Sequence, residues 1–178
     1  MKVAKVAFFI LALLALAGTG CVKDEPDSWS LGPGDDVPEF TATLQDGSSW
    51  SSASMRGRGA VLVFFNTGCS DCRRELPQVQ AAYEECAAKG MPVDFICIAR
   101  EQAAADISGW WDSHGLTMPC SPQPDRSLYN LFAYAGIPRV YVVSPGGVIT
   151  SAYGPDTAPD SATLLDAILL SLSMAGDI

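Results

Sequence analysis

Apolar positions along the chain fall into distinct rhythms, and each rhythm predicts a different element. "GAVLVFFN" (59–66) is an unbroken run of β-formers, as expected of a strand buried on both faces of a sheet. "PVDFICIA" (92–99) reads the same way. Between them the period changes. From about Ser70 to Lys89, the residues Leu76, Val79, Tyr83 and Cys86 line one face of a helix that ends at Gly90. Upstream, "VPEFTATLQDGSSW" reads as strand, Asp-Gly turn, strand, a hairpin signal. Downstream, a second helix is predicted over 102–113, a short extended stretch at "TMPC", and a third helix over 126–134 ending near Gly136. "RVYVVS" and "VITSAYG", joined by a "PGG" turn, make a second hairpin, and "SATLLDAILLSLSMA" closes as an amphipathic helix. The order predicts an α/β fold that mixes parallel crossovers with antiparallel hairpins around one central sheet.

The first twenty residues follow another rule. Lys2 and Lys5 precede an apolar stretch from Val6 to Ala17, and small residues lead up to Cys21. This is the three-part layout of a secretory signal peptide, too short in its apolar part to span a bilayer comfortably. Small residues ending at a cysteine also resemble a bacterial lipoprotein signal, which implies lipidation of Cys21 and a tether without a span. Residues 1–20 are therefore set apart as a signal peptide, 21–36 as a lipid-anchored flexible linker rich in Gly, Pro and Asp, and 37–178 as the domain. The acidic run "KDEPD" reads as a solvated tether, and it also resembles a surface-export signal. Removing residues 1–20 takes two lysines and no acids, so the net charge of −9 becomes −11. That balance argues against a nucleic-acid partner and supplies no basic patch for anionic lipid.

Candidate chemistry concentrates in "FFNTGCSDCRRELP" (64–77). Zinc or copper would need further ligands, about four for zinc, and the chain has a single histidine, His114. A structural disulfide within C-x-x-C closes too small a loop to stabilise much. Redox exchange is what the pattern equips. Cys69 falls where the first amides of the helix point at its sulfur and favour the thiolate, the nucleophile of disulfide exchange. Cys72, one turn later, is placed to attack the mixed disulfide that Cys69 forms and to close the 69–72 bond. Arg73 and Arg74 add positive charge, and Asp71 opposes it. Elsewhere, Cys86 and Cys97 read as inert core thiols, one of Trp110 and Trp111 as core, and His114 as a helix C-terminal residue. Cys120 is a candidate neighbour of Cys97 across the sheet edge, with a disulfide between them left open.

These residues resemble the TlpA/ResA type of thioredoxin-fold protein, within the AhpC/TSA superfamily. The resemblance runs from about Val37 to Ala175 and rests on the P-x-F hairpin, the DG turn, the G-x-x-V-L-V-x-F strand, C-x-x-C-R-x-E-L-P and the downstream "GIP". It implies a thioredoxin-like three-layer sandwich, a central mixed sheet with helices on both faces and an extra N-terminal β-hairpin. It also implies a cis-Pro138 facing the dithiol, with Ile137 presenting its backbone as a strand edge to an incoming peptide and Gly68 at the same substrate site. Glu75 matches an acidic residue that tunes the thiols, and Pro77 one that kinks the helix. Three positions depart from the pattern: Gly68 replaces an aromatic residue, Val63 a buried aspartate and Arg139 a threonine. Arg139 is expected close to the dithiol, favouring thiolate.

The implied function is an exported thiol-disulfide oxidoreductase acting on protein cysteines, leaning to reductant because Asp71 disfavours the thiolate of the reduced form. It would need no cofactor beyond a redox-active Cys69–Cys72 disulfide. A membrane thiol-disulfide electron donor is implied as a partner, with the lipid anchor as the only membrane contact, on the periplasmic face or the cell surface. A peroxiredoxin-type thiol peroxidase is an alternative, although Leu62 and Asn66 stand where its Pro and Thr/Ser would be. So is a non-catalytic peptide-binding lipoprotein.

Overall fold

Thr41–Thr43 (β1) and Ser49–Ser51 (β2) pair antiparallel as the expected hairpin, in a two-stranded sheet of its own. This is a computed structural model that describes residues 29–174; the expected signal segment, Cys21 and the start of the linker lie outside the described residues. The central strand is β3 (Ala60–Phe65), every residue of which is buried. It pairs in parallel with β4 (Asp94–Ala99) and antiparallel with β6 (Arg139–Val143). With β5 (Cys120–Ser121) and β7 (Ile149–Tyr153) at the edges, the mixed sheet has the order β5-β4-β3-β6-β7. The helices are α1 (Ser70–Ala88), α2 (Ala104–Ser113) and α3 (Ser161–Ser173).

The alternation of β3 divides the core in two. Val61, Val63 and Phe65 face the three helices, packing with Leu76, Val79, Ile107, Trp111, Leu164 and Ile168. Ala60, Leu62 and Phe64 face the other way, towards an aromatic cluster under the hairpin. There Phe132 is fully buried, with its ring centroid 4.8 Å from Phe64, 5.5 Å from Tyr141 and 5.6 Å from Phe40. The architecture is the three-layer α/β sandwich that the sequence predicts, with one difference in its second layer.

The helix expected over 126–134 contracts to a 3₁₀ turn at Tyr129–Leu131. The cause is a partner distant in sequence. Leu31 donates to the Phe132 carbonyl (2.8 Å), Tyr134 donates to the Trp29 carbonyl (2.8 Å), and Ser30 bridges Ala133. Backbone groups that would propagate the helix are thus committed to an extended segment. The same contacts fold residues 29–36, expected as linker, onto the domain: Gly34 donates to Ile149 and Asp36 bridges Val148.

Truncating Phe132 removes the ring shared by these aromatic pairs. Phe132→Ala should cost about 3–5 kcal/mol in urea denaturation, whereas a cost below about 1 kcal/mol would show that this layer does not hold the sheet.

Candidate active site

β3 delivers the chain to the end of the sheet at Phe65, and α1 must fold back onto the same sheet at Ser70, so Asn66–Cys69 carry the whole reversal. Asn66 organises it. Its Oδ1 accepts from the Gly68 amide (2.8 Å), its Nδ2 donates to the Arg100 carbonyl (2.9 Å), and its own carbonyl accepts from the Cys69 amide (3.0 Å). Thr67 is held from the neighbouring strand's end. Its amide donates to Gln102 Oε1 at 2.7 Å, and Gln102 Nε2 donates to its hydroxyl at 2.6 Å.

Cys69 is the N-cap of α1, extended at φ −83°, and its side chain makes no capping bond. The sulfur is half-buried and meets the opposite loop instead, with Sγ 3.7 Å from the Ile137 carbonyl oxygen. The Ile137–Pro138 bond is cis. Cys72 lies one turn further along, fully buried, and both cysteines are free thiols here. Burial pushes the Cys72 thiol far above the usual cysteine range. The hydrogen-bonded Cys69 adds to the push, while the Asn66 amide and the Arg100 charge oppose it.

Glu75, three residues on, is 4% exposed, and its Oε1 finds no hydrogen-bond partner among the described residues. Its carboxyl is pushed up to about 7 by burial first, with the Asp160 charge adding to the rise and Arg74 opposing it. Arg74 itself pairs with Asp71 at 2.7 Å, so the aspartate between the thiols is largely answered. Arg73 turns back to the Gly68 carbonyl (3.2 Å).

The loop that faces Cys69 is fastened on several sides. The Tyr129 hydroxyl donates to Gly136 O (2.8 Å), and Gly136 sits at φ +86° with Pro155 Cγ 3.1 Å from where a Cβ would be. Any side chain there would be strained. Arg139 was expected to lend charge to the dithiol. Its guanidinium is instead bonded to the Ala135 carbonyl at 2.6 and 3.2 Å and to Gly136 O at 3.2 Å, so it secures the loop. The reason is local: the 135–136 carbonyls project where the first side chain of β6 can reach them.

The structure therefore brings together Cys69, Cys72, Gly68, Ile137 and Pro138, and Glu75 follows Cys72 one turn further along the buried face of α1. The sequence reading missed Asn66 as an organiser of the turn and missed Gln102, whose only signal was its position just past a buried strand. Cys97 and Cys120 stand directly opposite each other on β4 and β5, as free buried thiols; Cys86 is likewise buried. His114 stacks on Trp110 with centroids 3.9 Å apart at the C-terminus of α2. Among the described residues no group of three His, Cys, Asp or Glu side chains stands close enough to hold a metal.

Comparison with known proteins gives one answer at several levels. The AhpC/TSA family model matches residues 33–152. The thiol-disulfide oxidoreductase ResA of Bacillus subtilis is 22% identical over 67% of this chain and 66% of its own length. The ResA of Oceanobacillus iheyensis is 24% identical over 81% of this chain and 75% of its own. Among solved structures, a thiol:disulfide interchange protein from Chlorobium tepidum superposes with a TM-score of 0.66 at 23% identity, over 80% of this chain and 99% of that one. With its thioredoxin-type sheet and its dithiol at the start of α1, this chain belongs to the AhpC/TSA family.

Proposed function

We propose that this thiol-disulfide oxidoreductase is an exported reductant of protein disulfides, working through Cys69 and Cys72. The observation that carries the reading is the inequality of the two sulfurs: Cys69 lies half-exposed beside the Ile137 carbonyl, and Cys72 is sealed behind it. The Cys69 thiolate attacks one sulfur of a substrate disulfide. A bond forms between Cys69 and that sulfur, the substrate S–S bond breaks, and the other sulfur leaves as a thiolate that takes up a proton. Cys72 then loses its proton and attacks Cys69. The 69–72 disulfide closes, and the second substrate thiol is released. Two electrons pass to the substrate, and a dithiol donor at the membrane returns them in a second exchange.

Val63 supplies no carboxylate behind the dithiol, so the proton of Cys72 needs another acceptor. Glu75 has the means: a buried carboxyl with a free oxygen that titrates near neutrality. The Ile137 backbone and the exposed Gly68 form the edge on which substrate peptide would lie. Export rests on the N-terminal signal layout and anchoring on Cys21; no helix of the described residues is long and apolar enough to cross a membrane.

In Cys72→Ser the second step is blocked, so Cys69 should accumulate as mixed disulfides with partner proteins, visible on non-reducing gels and absent in the Cys69→Ser, Cys72→Ser double variant. A folded Cys72→Ser protein that traps nothing from an oxidised extract, together with no reduction of insulin by the parent protein, would sink the proposal.

Glu75 also predicts a pH dependence of stability. Its carboxyl titrates at about 7 in the fold against an ordinary 4.5, so between these pH values the folded chain keeps a proton the unfolded chain has lost. Stability should therefore fall as pH rises through that window, by at most about 3 kcal/mol. Glu75→Gln removes the dependence, so its stability relative to the parent should rise from pH 5 and level off above about pH 7 in urea melts of the reduced proteins. Parallel curves for the two would show that Glu75 titrates like an exposed carboxyl.

A further inference from the structure

Gln102 belongs to no motif, yet both polar atoms of its carboxamide are used on one residue, Thr67, two positions before Cys69. The pairing is reciprocal: the Thr67 amide finds an acceptor and the Thr67 hydroxyl finds a donor, the two ends of one carboxamide. Gln102 is in turn held in place. Glu101 adopts φ +60°, a left-handed conformation that a residue other than glycine keeps only where its surroundings impose it. On either side of that bend, Glu101 donates to the Asp125 carbonyl (3.3 Å) and Gln102 to the Gln123 carbonyl (2.8 Å).

The chain of bonds continues. Gln123 Nε2 donates to Ser121 Oγ (2.9 Å), and that fully buried hydroxyl donates to the Thr43 carbonyl of β1 (2.7 Å). A continuous hydrogen-bonded line therefore runs from the N-terminal hairpin, past the β5 edge, to the turn that carries the nucleophile.

We propose that Gln102 is a positioning residue for thiol–disulfide exchange: it fixes the 66–68 turn so that Cys69 is held at the N-cap of α1 with its sulfur beside the Ile137 carbonyl. This rests on Cys69 being the nucleophile. Displacement of the attacking sulfur by about 1 Å is enough to slow an in-line substitution by orders of magnitude. A loosened turn also withdraws the helix amides from the thiolate, which disfavours the reduced form and moves the pair towards disulfide.

The test compares the folded variants with the parent in two measurements: the rate of exchange with oxidised glutathione, and the equilibrium constant of the Cys69–Cys72 pair in glutathione buffers. Gln102→Met keeps the volume and removes both bonds. Its rate should fall about tenfold and its equilibrium should move about tenfold towards disulfide, which is about 30 mV. Gln102→Glu keeps the acceptor for the Thr67 amide and lets the hydroxyl donate, so it should recover most of the rate. Thr67→Val, losing the hydroxyl bond alone, should fall about threefold and decides the matter if Gln102→Met does not fold. A Gln102→Met protein with the parent's rate and equilibrium constant overturns the inference, as do Met and Glu variants equally impaired, or an unaffected Thr67→Val. Absence of exchange in the parent itself would defeat the assignment of Cys69 instead.

Discussion

The site depends on a geometric constraint: a strand buried on both faces must hand its chain to a helix that packs on the same sheet. α1 satisfies it through one apolar stripe, Leu76, Val79, Ala82 and Cys86. Extended backwards at helical spacing, that stripe meets Cys72, four residues before Leu76, and Glu75, four before Val79. The sealed thiol and the buried carboxyl are therefore not placed by separate devices. They are the first positions of the face that holds the helix down, whereas Cys69 precedes the helix and escapes burial. Packing alone makes the two cysteines chemically unequal.

The opposite wall of the site is built from the second layer. Tyr129 is pinned under the sheet with its ring 5.6 Å from Phe64, and it reaches up to Gly136 through its hydroxyl. The guanidinium groups of Arg100 and Arg126 lie 5.1 and 5.3 Å from the centre of the same ring. Arg139 and Pro155 close on the loop from β6 and from the far side. A loop whose carbonyls are already bonded has little freedom left, which is the condition for presenting the Ile137 oxygen at a fixed distance from a sulfur. The aromatic cluster thus serves stability and the site together.

How much of this was legible followed the range of the interactions. β3, β4 and α1 are specified by local periodicity, and the structure has them within a residue or two of their predicted limits. The dithiol, Glu75 and the GIP loop were readable because motif spacing survives folding unchanged. The contraction of the 126–134 helix was not readable, since it depends on Trp29–Leu31, about a hundred residues away. Nothing in residues 126–134 records that their backbone has another partner. Arg139 was misread for a related reason. Proximity in sequence to Pro138 gave its position, but not which way five donors would turn when the Ala135 and Gly136 carbonyls stood within reach. Gln102 escaped because its partner lies on a different strand's exit, a juxtaposition created by parallel pairing of β3 and β4.

Val63 and Glu75 then make sense as one arrangement. In β3, position 63 faces the helices between Cys97 and Val140, and a carboxylate there would have only apolar neighbours in the sheet. On α1 the carboxyl of Glu75 is buried too, but it stands at the seam where α3 begins. Asp160, the N-cap of α3, accepts from the Thr163 amide at 2.8 Å, and the Thr163 hydrogen bonds lower its pKa. It stays ionised, and its charge opposes ionisation of Glu75. One carboxyl is kept as an anion by cap hydrogen bonds, and the other is raised to about 7 by burial and by that anion, so the two have the unlike environments that separate acid from base in a single site. On the proposed reading, the acceptor for the Cys72 proton stands at this helix seam rather than on the strand, and α3 as well as α1 sets its pKa.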